Sequence, residues 1–111
     1  MKIKTQDYNN VSVVELHGEF TEETVEQFGQ TVSMLVGQEK TGIVLDMNYV
    51  TFIDSVALER LLEFRDSCLE NNCQLKLAGM DETCNKIMEI TRLDIEFDRY
   101  VELAEAVKSF A

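Results

Sequence analysis

Apolar residues change their spacing along this chain in a way that separates strands from helices. Residues 2–7 alternate weakly, Asn9-Asn10 supplies turn chemistry, and Val11 to His17 is rich in β-branched residues. The chain therefore opens as two strands joined by a tight turn, with Gly18 closing the second. The period then changes. Val25, Phe28, Val32, Leu35 and Val36 recur at helical spacing and predict a helix from about Thr21 to Val36. Thr21 is placed to cap it, Glu22 and Glu23 lie where the helix dipole favours negative charge, and Gly37 fits its stop.

The short apolar run Gly42-Ile43-Val44-Leu45-Asp46-Met47 reads as a buried central strand. A second helix is expected from Asp54 or Ser55 to about Glu70. Leu58, Leu61, Leu62, Cys68 and Leu69 share one face, and Glu59, Glu63, Asp66 and Glu70 lie largely on another. Asn71-Asn72 ends it. Strand Gln74 to Ala78 follows, then Gly79 and a helix from Asp81 to about Thr91 with Cys84, Ile87 and Met88 inward. A short strand at Ile95-Glu96-Phe97 and a final helix from Tyr100 to Phe110, with Leu103, Val107 and Phe110 as its apolar face, complete the pattern. Strands separated by helices imply parallel pairing through right-handed crossovers. The expected class is α/β, a mixed and mostly parallel sheet of four to five strands with about four helices. Only the opening hairpin is antiparallel. Helix starts gather at one sheet edge, where sites tend to lie in such folds.

Composition narrows the function. A chain of 111 residues, 45% hydrophobic and 28% charged, suits a single packed domain over residues 1–111. No apolar run approaches the ~18 residues needed to cross a bilayer, so no membrane insertion is expected. The polar start MKIKTQDYNN lacks an export segment, and a cytoplasmic location is expected. The net charge of −11 disfavours nucleic acid and anionic membrane surfaces, and favours a protein partner with a basic or mixed face. It also serves as a generic solubilising surface. Cys68, Cys73 and Cys84 are odd in number and lack Cys-x-x-Cys spacing, and His17 is the only histidine. Buried thiols are therefore expected, with no disulfide framework and no metal site.

The most informative stretch is Asn48 to Leu58, which leads from the central strand into the second helix. A serine in a first helical turn sits among amides without intrahelical partners. Those amides and the helix dipole can hold a phosphate, which adds about −1.5 to −2 charges without melting the helix. Asp54 and Ser55 are also ordinary helix-capping residues, and spacing alone fits that role as well.

This stretch resembles the STAS domain family, best known from anti-sigma-factor antagonists. Phe52-Ile53-Asp54-Ser55-x-x-Leu58 looks like the family signature, and Gly18-Glu19-Phe20-Thr21-x-x-Thr24 looks like its upstream Gly-x-Leu-Asp-x-x-Thr loop. Ile43 to Asp46, Leu75-x-Leu77-Ala78-Gly79 and Ile90-Thr91-x-Leu93 follow in the expected order, covering about residues 8–110. The resemblance implies a mixed sheet flanked by helices, while a single histidine, no nucleophile motif and no Gly-rich phosphate loop lead to the expectation of no catalysis and no cofactor. The resemblance also implies a partner that is both anti-sigma factor and serine kinase. Phosphorylation of Ser55 would end binding, and a phosphatase would restore it. The partner surface would comprise Gly18, Glu19, Phe20, Thr21, Asp54, Ser55, Val56, Ala57 and Glu59. Four positions depart from the family pattern. Val56 and Ala57 stand where Ser-Gly or Ala-Gly is usual, Thr21 where Asp is usual, and Arg92 where Gly is usual. Alanine favours a helix over glycine by ~1 kcal/mol and adds a methyl where a partner backbone could approach.

Two rivals remain open at this level. Family members also serve as accessory subunits of membrane transporters or as scaffolds in larger signalling assemblies. Asp46, Asp54 and Asp81 could alternatively gather at the sheet edge and bind Mg²⁺, as in an aspartyl-phosphate receiver. In this chain, however, Asp7 leads into a hairpin rather than the receiver's β-α-β start.

Overall fold

The computed structural model describes residues 1–110. Its strands are β1 (Lys2–Tyr8), β2 (Val11–Phe20), β3 (Gly42–Ile53), β4 (Gln74–Ala78) and β5 (Asp98–Tyr100). Its helices are α1 (Val25–Gly37), α2 (Ser55–Glu70), α3 (Glu82–Ile90) and α4 (Leu103–Lys108), with a short 3-10 turn at Asp94–Glu96. The sheet order is β1-β2-β3-β4-β5. Only β1 and β2 pair antiparallel; β2–β3, β3–β4 and β4–β5 are parallel. This is the mixed, mostly parallel α/β sheet that the order of elements implies.

Alternation along the strands sends side chains to two apolar layers. Val14, Leu16, Ile43, Leu45, Leu75 and Leu77 meet Phe28 and Val32 of α1, Leu58 and Leu61 of α2, and Cys84 and Met88 of α3. On the opposite face Val11, Val13, Val44 and Ala78 meet Ala106 of α4. Covering on both faces explains the unbroken burial of Gly42 to Met47. Lys76 is also buried under α4. Its ammonium donates to Ser109 Oγ at 2.8 Å and stands 4.2 Å from the Phe110 ring centroid. Phe110 in turn packs where a Cβ on Gly42 would lie.

Several boundaries differ from the sequence pattern. Strand β2 continues through Gly18, whose φ of 106° accompanies a register shift, and ends at Phe20. Helix α1 starts at Val25, so Thr21 does not cap it and Glu22 and Glu23 precede it. The left-handed residue after α1 is Glu39 (φ 59°), not Gly37. Strand β3 absorbs Asn48 to Ile53, which the pattern leaves as a connection. Leu69 faces solvent at 52% exposure, away from Cys68. Ile95 is 81% exposed in the 3-10 turn, which moves β5 to Asp98–Tyr100, and Tyr100 accordingly lies outside α4.

Arg92, which replaces the family's usual glycine, has φ of 62°. A side chain in that left-handed region costs about 1 kcal/mol relative to glycine. Arg92→Gly is therefore expected to raise stability by about 1 kcal/mol, read as a higher urea midpoint with an unchanged slope.

Candidate functional site

The candidate site forms where β2 and β3 end side by side. Phe20 pairs with Ile53, and Asp54 N extends this ladder by donating to Phe20 O at 3.2 Å. From there each chain turns into a helix. In the β2–α1 turn, Thr24 rather than Thr21 is the organising side chain. Its hydroxyl accepts from Thr21 N at 2.9 Å and donates to Glu19 O at 2.8 Å. Thr24 N and Val25 N both donate to Thr21 O. A hydroxyl three residues after the turn's start was the available sequence signal.

Asp54 is the N-cap of α2 and does more than cap. Its Oδ1 accepts from Ala57 N at 2.8 Å, and its Oδ2 accepts from Glu22 N at 3.0 Å. One carboxylate thus fixes the first turn of α2 and pins the β2–α1 turn to it. Ser55 follows as the first helical residue and is exposed. Among the described residues, Ser55 N and Val56 N make no hydrogen bond. They are two of the orphan amides of a helix start, and the positive end of a 16-residue helix lies beneath them.

The structure sorts the remaining surface candidates by accessibility. Glu19 and Glu59 are exposed, and Gly18, Thr21, Asp54 and Val56 are partly so. Phe20 and Ala57, expected on the partner surface, are fully buried. Phe20 meets Phe28 edge to face at 5.0 Å between ring centroids. The Ala57 methyl, anticipated as an outward obstruction, points into the core instead. Both residues position the surface without offering side chains to it.

Two exposed aromatics on β3 precede the site, Phe52 from the family-like signature and Tyr49, which the pattern did not single out. Tyr49 and Phe52 on β3 are 50% and 49% exposed. Tyr49 stacks on His17 at 4.4 Å, and His17 meets Glu15 at 2.8 Å. Register shifts between β2 and β3 turn these aromatics outward, and such shifts leave no composition signal.

The three aspartates of the receiver reading are each committed elsewhere. Asp46 Oδ1 accepts from Asn48 N and Nδ2, Asp54 caps α2, and Asp81 Oδ1 accepts from Cys84 N at 2.7 Å. Among the described residues, no group of three or more His, Cys, Asp or Glu side chains is arranged to hold a metal ion. No helix of the described residues is long and apolar enough to cross a membrane.

The STAS domain family model matches residues 2–108. No curated protein matches the chain by sequence. Among solved structures, an anti-sigma factor antagonist from Mycobacterium paratuberculosis superposes with a TM-score of 0.87 at 23% identity, covering 97% of this chain and 92% of that one. The Bacillus cell fate determinant SpoIIAA in its phosphorylated form gives 0.76 at 19% identity, covering 99% and 100%. A sulfate transporter family protein from Wolinella succinogenes gives 0.83 at 17% identity, covering 92% and 85%. At these identities the superpositions establish a shared fold.

The Asp54 geometry carries an expected outcome. Asp54→Ala removes both side-chain bonds, so a loss of about 1–2 kcal/mol is expected from urea unfolding. Amide exchange should rise at both Ala57 and Glu22. Asp54→Asn offers only one carbonyl oxygen, so one of those two amides should stay protected.

Proposed function

The chain belongs to the STAS domain family, and from that premise we propose that it works as a signalling adaptor switched at Ser55. STAS domains of the anti-sigma-factor-antagonist type are non-catalytic regulatory domains that act through protein contacts. In our reading the partner is an anti-sigma factor with serine-kinase activity, and both act in the cytoplasm. Its docking ground is the start of α2 with Ser55, Val56 and Glu59, the cap Asp54, and the neighbouring Gly18, Glu19 and Thr21. Half-exposed Phe52 adds apolar area beside it.

The observation that carries this reading is the exposed Ser55 hydroxyl beside two unbonded amides at a helix start. A phosphate there is stabilised by those amides and by the helix dipole, so α2 persists when it is added. The same dianion stands beside the Asp54 cap, which holds Glu22 N, and one helical turn before Glu59. A docked partner would have to strip its water and bring its own acidic groups close, both of which oppose association. Phosphorylation therefore changes affinity without changing the fold, and a phosphatase reverses it. Val56 and Ala57 are compatible with this switch, since Ala57 is buried and only Val56 alters the outer surface.

A second reading draws on the resemblance in fold to the sulfate transporter family protein. There the domain would be an accessory or scaffold subunit, and Ser55 would serve only as the first residue of α2.

Affinity capture followed by titration distinguishes the two. Ser55→Asp is expected to weaken binding of the captured kinase roughly tenfold or more, about 1.4 kcal/mol, with a urea midpoint no lower than that of the unaltered chain. Ser55→Ala should bind normally and resist phosphorylation by that kinase, as read by mass spectrometry. An unchanged dissociation constant for Ser55→Asp, or phosphate found only at other residues, sinks the switch. Capture of a transporter ATPase in place of a kinase favours the accessory reading.

A further inference from the structure

The two margins of the sheet differ in how they are closed. On one side β5 is a strand of three residues, too short to template a further strand. On the other, β1 runs for seven residues, and among the described residues it pairs with β2 alone. Its register is unbroken from Lys2 opposite His17 to Tyr8 opposite Val11, the chain holds no proline, and all of β1 but Ile3 is exposed. Brevity, proline and bulges are usual defences of a sheet edge, and β1 has none of them. The direction of its free backbone groups follows from β2. Asn10 O accepts from Gly42 N at the start of β3, so the even-numbered residues that follow turn toward β3 and the odd-numbered ones toward β1. Lys2, Lys4, Gln6 and Tyr8, opposite His17, Glu15, Val13 and Val11, therefore direct their N–H and C=O to β2. Ile3, Thr5 and Asp7 direct theirs away from the sheet.

We propose that β1 is the pairing edge for a second copy of this chain, joined strand to antiparallel strand about a two-fold axis through Thr5. Ile3 of each copy then faces Asp7 of the other, and Thr5 faces Thr5, so about six backbone hydrogen bonds join the two sheets. Side-chain charge selects this register. Lys2 meets Tyr8 and Lys4 meets Gln6 across the axis, so no like charges stand opposite. A slip of two residues toward the N-terminus sets Lys4 against Lys4, and a slip the other way loses the bonds of Ile3. Parallel pairing in register would stack both lysines on their copies. Charge also favours a second copy as the occupant. The chain carries −11 overall, whereas β1 holds two lysines and one aspartate, whose carboxylate Lys40 already meets at 3.2 Å. The lysine-bearing edge of each copy is thus attracted by the acidic body of the other. The contact uses the same edge on both copies, so it closes at a dimer. Strand pairing alone buries little area, so that dimer dissociates on dilution. The pairing of β1 ends at His17 and does not reach Gly18 to Thr21, so the contact lies outside the docking ground proposed around Ser55.

Sedimentation equilibrium of the full chain, over a roughly hundredfold range of concentration, is expected to show a monomer–dimer equilibrium. Amide exchange read by NMR should slow at Ile3, Thr5 and Asp7 as concentration rises, while Lys4 and Gln6 stay protected throughout. Thr5→Pro removes one outward N–H without touching the bonds to β2, a substitution that an edge strand tolerates. Its dimer dissociation constant should rise roughly tenfold or more. Should Thr5→Pro fail to fold, Thr5→Lys reads the same contact by setting two like charges face to face on the axis. A monomer at every concentration, or a dimer that both variants leave intact, would overturn the proposal. So would protection of the three outward amides only when an oligoglutamate peptide is added, which assigns the edge to a foreign strand.

Discussion

Asp54 joins two segments that are 32 residues apart into one surface. One carboxylate oxygen holds the first turn of α2 and the other holds the turn after β2, while the backbone N–H of the same residue continues the β2–β3 ladder. Capping α2 and tying the two turns together are therefore done by one side chain. By taking the Ala57 amide with its own side chain, Asp54 leaves the two amides before it free, and these lie where an anion on Ser55 would settle. The cap thus fills one orphan amide of the helix start and leaves Ser55 N and Val56 N without an intrahelical partner.

Around that carboxylate, residues alternate between holding the site and presenting it. Phe20, Ile53, Ala57 and Leu58 are sealed in the core, whereas Glu19, Ser55 and Glu59 face water. The departures from the family pattern fall differently on the two sets. An alanine in place of glycine at position 57 fills interior space and strengthens the helix, and leaves the outer face as it was. Arg92 does the reverse, since it keeps a left-handed backbone and accepts the steric cost of a side chain there.

Much of this was legible in the chain itself. Helix α2 begins and ends where its apolar spacing and the Asn71-Asn72 pair place it, and β4 matches its pattern residue for residue. Both signals are local and uninterrupted. Misreadings cluster where a distant partner decides the outcome. Thr21 resembles a cap until Thr24 takes that turn, a choice made by the Glu19 carbonyl. Asn48 to Ile53 looks like a loop because the strand's alternation is broken by register shifts against β2. Lys76 offers no sequence hint of burial, because its partners Ser109 and Phe110 lie more than thirty residues further on. In the site, Ser55 and Asp54 were visible from spacing and resemblance. The Glu22 contact and the outward aromatics belong to tertiary geometry.

The strand order has a consequence for how such a chain assembles. Every strand lies beside its sequence predecessor, so no strand must be inserted between two that have already met. Each crossover adds the next strand to an open margin, and the loops to be closed stay short compared with interleaved α/β sheets. A chain emerging from the ribosome can therefore build its sheet in the order of synthesis. The last helix then arrives to cover the face that the growing sheet had left wet.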